Sequence, residues 1–69
     1  MELRDFEAMI ARAKYRLKKT YGDEGEPERR LYTSDRGPII NVPVDGNQVD
    51  ELLALAIEAY LDEEGLFEK

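Results

Sequence analysis

Residues 52–61 read LLALAIEAYL, and Glu58 is the only charge among them in a chain of 69 residues. At about 100° per residue, Val49, Leu52, Leu53, Ala56, Ala59 and Tyr60 form one broad apolar face. Ala54, Ile57 and Leu61 form a second stripe beside it, and Leu55 falls on the other flank. The apolar arc covers roughly 260°, leaving Glu51, Glu58 and Asp62 on a narrow polar edge. A helix so apolar needs neighbours on more than one side. One further helix and a hairpin are enough for the broad face, so the second stripe is expected to meet another chain. Self-association through Ala54, Ile57 and Leu61, as a homodimer, is the consequence. A chain this small gains stability from disulfides, metals or association. It has neither cysteine nor histidine, which leaves association.

Local signals set the bounds of this helix at about residues 46–64. Asp45 is placed to cap it, with Gln48 closing a capping box and Val44 and Val49 forming a hydrophobic staple. At the far end Gly65 suits the left-handed position, and Leu66 packing on Leu61 is the contact of a Schellman motif.

Upstream, RRLYTS and PIINVPV flank DRG, which reads as a hairpin over about residues 29–44, with Gly37 left-handed in the turn. Pro38 and Pro43 cannot donate to a ladder, so the second run is an edge strand or only partly a strand. GDEGEPE, residues 22–28, reads as a mobile acidic linker. The first element reads as a helix over about residues 2–20, with Leu3, Phe6, Met9, Ile10, Ala13 and Leu17 on one stripe and Arg4, Asp5, Arg12, Arg16 and Lys19 across from it. The fold class expected is α+β: one small domain of helix, β-hairpin and helix.

Charge divides unevenly along the chain. Residues 1–20 carry six bases and three acids, residues 21–46 three bases and six acids, and residues 47–69 one base and seven acids. The formal net charge of −6 opposes general affinity for nucleic acid, since a polyanion is repelled before contact. RAKYRLKK, residues 12–19, nevertheless makes a basic patch of Arg12, Lys14, Arg16, Lys18 and Lys19. A solvated helix face explains this patch more simply than a phosphate track does. Nothing resembles a signal peptide or an unbroken apolar span of membrane length, so the chain is expected to be soluble and cytoplasmic.

No nucleophile and base pair of the usual kinds and no Gly-rich phosphate loop is present, so the chain is expected not to be an enzyme and to need no cofactor or metal. DGNQVDE, residues 45–51, has the first beat of a calcium loop, but its glycine is misplaced and helix capping accounts for it better. The acids Glu58, Asp62, Glu63 and Glu64 break two local rules. They load the negative end of a helix dipole, and Glu58 and Asp62 repel at four residues' spacing. Such violations concentrate at functional sites, so these four are read as a surface for a basic protein partner. The expected function is non-catalytic protein binding, regulatory or adaptor in kind. The alternatives are a phage-type acidic inhibitor that mimics nucleic-acid charge on an enzyme, and a nucleic-acid binder using the basic face of the first helix.

Overall fold

Leu3, Phe6, Met9 and Ile10 keep helical spacing, and in the computed structural model, which describes residues 1–22 and 24–67, they are the buried side of helix α1, Leu3–Ala11. Three antiparallel strands follow, β1 (Arg16–Tyr21), β2 (Glu28–Thr33) and β3 (Ile40–Val44), in the order β1-β2-β3, and then helix α2, Glu51–Glu63. The fold is α+β, with a sheet between two helices in chain order. One face of the sheet supplies Tyr32, Ile40, Val42 and Val44 to a core completed by α1, Val49, Ala54 and Leu61. No helix among the described residues is long and apolar enough to cross a membrane.

The first helix is half the expected length, and the rest of the expected span becomes β1. Ala13, Tyr15 and Leu17 alternate with bases, a period-two pattern inside what also reads as a helical stripe. A continuous helix would carry Tyr15 onto its charged side. Instead Tyr15 is buried and its hydroxyl donates to the Pro38 carbonyl at 2.7 Å. Burying a ring of that size contributes about 2 kcal/mol, against a few tenths per residue of helix propensity. Burial decides. The helix stops in a Schellman arrangement: the Tyr15 amide donates to Ile10 and the Lys14 amide to Ala11, with Lys14 at φ 64° where glycine is usual.

β1 pairs with β2 from Arg16↔Thr33 to Tyr21↔Arg29, and Lys18 is the extra residue of a bulge between Leu17 and Lys19. The expected linker is the connection of this hairpin, and Asp23 of it, like Glu68 and Lys69 of the tail, lies outside the described residues. The hairpin expected at residues 29–44 is present as β2 and β3, with Pro43 tolerated because β3 is an edge. Gly37 is not left-handed. Its place is fixed by room, since a Cβ there would stand 2.6 Å from the Tyr15 hydroxyl and 2.7 Å from Leu66 Cδ1.

The start of α2 is also corrected. Asp45, Gly46, Asn47 and Gln48 form a two-residue hairpin turn with φ 54° at Gly46 and 65° at Asn47, closed by reciprocal Asp45–Gln48 backbone bonds of 2.9 Å. The chain then runs back alongside the start of α1, with Leu3 donating to Asn47 and Val49 to Met1. Asp50 is the true cap, its carboxylate accepting from the Leu53 amide at 3.0 Å. The far end is as expected: Leu66 donates to Leu61, Gly65 to Asp62, and Gly65 has φ 68°.

The two aspartates therefore separate in their effects. Asp50→Ala is expected to cost about 1 kcal/mol in urea denaturation, while Asp45→Ala, which leaves the backbone bonds of the turn in place, costs clearly less. Equal losses, or a larger loss at Asp45, would return the cap to the earlier position.

Candidate protein-docking surface

Ala54 and Leu61, read from sequence as an intermolecular stripe, are 0% exposed inside the chain's own core, and Ile57 is half-buried beside them. That stripe is the side on which α2 packs, which corrects the expectation. The solvent-facing side is the opposite one, where Leu52 is 77% exposed and Leu55 and Tyr60 flank it, with the small side chains of Ala56 and Ala59 between. At helical spacing these five make one strip about three turns long. Next to it, a shallow groove runs between α2 and the free edge of β3, lined by Ile39, Leu53, Ile57 and Tyr60. Ile39 is 64% exposed.

Glu58 and Asp62 lie along one border of this strip, and Glu63 and Glu64 at its C-terminal end. Asp62, Glu63 and Glu64 are exposed and Glu58 is half-buried. Among the described residues none of the four is in an ion pair. Arg12 shares a groove with Leu55, Glu58, Asp62 and Phe67, but its guanidinium stacks on the Phe67 ring at 4.5 Å rather than joining a carboxylate. Glu51 adds a further acid at the helix start.

The basic patch is not a helix face. Arg12 stands at the end of α1, Lys14 in the left-handed turn, and Arg16, Lys18 and Lys19 on the fully exposed strand β1. The structure thus separates what the sequence reading placed on one face. Lys19 lies over the Tyr21 ring at 4.7 Å. Arg29, opposite Tyr21 on β2, was not singled out from sequence, and pairing register alone brings it there.

One titratable cluster lies under α1. The Tyr32 hydroxyl donates to Glu7 Oε2 at 2.7 Å, and Arg30 reaches the same oxygen at 3.4 Å and Glu28 at 2.7 Å. Burial, then the bond to Glu7, pushes the Tyr32 phenol well above the ordinary tyrosine value. The Arg30 guanidinium is likewise raised, chiefly by its bond to Glu28. Burial, with Tyr60 nearby, raises Tyr15. Every group in the cluster is satisfied by another, and Glu7 also borders an open depression with Glu2, Arg4, Asn47 and Gln48. The arrangement fastens α1 to the sheet. No cluster of three or more metal-ligating side chains occurs among the described residues.

Alkaline stability follows from Tyr32. The folded chain holds its proton more tightly than the unfolded chain, so the contribution is complete below the ordinary value of 10.0 and is lost as pH rises beyond it. Between pH 8 and pH 11, wild type is expected to lose more stability in urea denaturation than Tyr32→Phe, which starts about 1 kcal/mol lower for want of the bond to Glu7. Parallel losses in both proteins would contradict this.

No protein-family model, no curated protein and no solved structure matches the chain.

Proposed function

We propose that this is a non-catalytic protein-binding domain whose helix α2 receives a basic, amphipathic segment of another protein. The observation that carries the reading is the exposure of Leu52, Leu55 and Tyr60 on one side of a helix whose other side already completes the core. Single exposed leucines are ordinary, but a continuous apolar strip with an adjoining apolar groove is characteristic of contact surfaces. The acids then select the occupant. A segment with leucine-like anchors and flanking lysine or arginine buries the strip and meets Glu51, Glu58, Asp62 and Glu63 at its rim, where complementary charge speeds encounter and excludes acidic competitors.

Glu51, Glu58 and Asp62 also fall nearly in line along α2, a feature that favours the acidic-inhibitor reading, in which a row of carboxylates imitates phosphates. The leucines favour a protein ligand over that alternative, because a nucleic-acid channel offers phosphate-binding cations and not an apolar anchor site.

The test uses a labelled helical peptide of leucines and lysines at amphipathic spacing, titrated by fluorescence anisotropy. Wild type is expected to bind it, more weakly as salt rises. Leu52→Gln with Leu55→Gln is expected to weaken binding by about tenfold or more and to leave the melting temperature nearly unchanged, since both side chains are exposed. Binding that is indifferent to the leucines would reduce the site to nonspecific charge attraction and overturn the proposal.

A further inference from the structure

β1 is an edge strand exposed along its whole length, and its extensive contacts are with β2 alone. It carries Arg16, Lys18 and Lys19 and no acid, and on the adjoining strand Arg29 is exposed opposite Tyr21, while Arg30 is taken up by Glu28 and Glu7. Leu17 stands opposite Tyr32, hence on the face that the helices cover elsewhere, yet it is 45% exposed because neither helix extends beneath β1. Tyr21, with Arg16, Lys19 and Arg29, lies on the other face by the pairing register and is exposed toward the end of the strand. The outer face of β1 is therefore basic, with Tyr21 as its anchor. That is the chemistry which α2 selects.

We propose that the segment docking on α2 is β1 of a second copy of this chain, with the Leu52–Leu55–Tyr60 strip against Tyr21 and the acids of α2 against Arg16, Lys19 and Arg29 on the same face of the sheet, and Lys18 in the bulge beside them. The inference rests on α2 being a docking surface and names its occupant. Charge decides between this contact and the pairing of α2 with α2. Two antiparallel copies of α2 would bring Glu51 of each toward Asp62 and Glu63 of the other, and two parallel copies would align identical acids. No base on α2 offsets either arrangement. Pairing α2 with β1 sets each charge against its opposite. Lysines and a bulge on an edge strand also prevent strand-to-strand aggregation, which explains Lys18 and Lys19 but not the exposed Tyr21 or the apolar strip of α2. A six-residue strand against part of a helix is a small contact, so the association is weak and sensitive to salt.

Sedimentation at low salt with two charge-reversed variants tests it. One carries Lys18→Glu and Lys19→Glu, the other Asp62→Lys and Glu63→Lys; all four side chains are exposed, and circular dichroism checks that each variant is folded. Wild type is expected to gain mass with concentration and to lose that gain as salt rises. Each variant alone is expected to associate about tenfold less, or not at all. Their mixture is expected to recover association, because the acidic α2 of one meets the basic β1 of the other. A wild type that stays monomeric at high concentration and low salt overturns the proposal. So does a β1 variant that associates as wild type does, which would move the contact to another surface, or a mixture no heavier than its parts. If wild type stays monomeric but still takes up the leucine–lysine peptide through Leu52 and Leu55, the docking surface stands and only its occupant is wrong. If it does neither, both fall.

Discussion

The fold turns on Tyr32. Its ring is 1% exposed in the middle strand, set edge-on to Phe6 of α1 at 5.9 Å and 67°, while its hydroxyl reaches the half-exposed Glu7 one residue further along the helix. Aromatic pairs in this geometry add about 1 kcal/mol to what their burial contributes. The larger effect is positional. One side chain fixes both how deep α1 sits, through Phe6, and how it is rotated, through Glu7. With α1 held over β2, its apolar side closes on Ile40, Val42 and Val44, and α2 completes the core with Ala54 and Leu61. β1 is left paired to the sheet but uncovered, and the outer side of α2 is left without a neighbour.

What could be read from the sequence was what short-range rules decide. The C-terminal end of α2 follows from Gly65 and Leu66 because a Schellman motif needs only the residues that form it. The sheet between β2 and β3 follows from two runs of β-formers around DRG. The beginning of α2 shows the limit of such rules, since Asp45 with Gln48 and Asp50 with Leu53 both satisfy capping geometry on paper. The structure chooses the later cap because residues 45–48 are committed to a hairpin turn that carries Val49 back to Met1, a pairing across 48 residues that no local pattern announces.

The first helix misled for a related reason. Ala13 and Leu17 fit a helical stripe and, together with Tyr15, fit alternation equally well, so the ambiguity rests on Tyr15. Its destination is the Pro38 carbonyl and the space left by Gly37, both more than twenty residues away in the chain. Once Tyr15 is drawn there, the bases that follow cannot remain on one helix face, and the basic patch becomes a strand. The proposed docking surface was legible to the same extent. An excess of apolar residues on α2 and the acids at its end were plain in the sequence, but which side the core would take depended on the placement of α1, and the core took Ala54 and Leu61 rather than the broad face.

Surface composition then follows from the division of labour between the ends of the chain. β1 has two free sides and an unpaired edge, the conditions under which a strand recruits others of its kind, and three bases with a bulge suppress that pairing. α2 exposes leucines, the conditions under which helices pair with their own copies, and uniform negative charge suppresses that as well. Each element repels its twin, and the two repulsions have opposite sign. In the proposed pairing, the residues that block like-with-like contact at each surface are the ones that make the two surfaces complementary. In the proposed association both surfaces sit on one chain, so the attraction would act between any two copies, with the exposed leucines anchoring it and the screening length of the solution setting the reach of its charges.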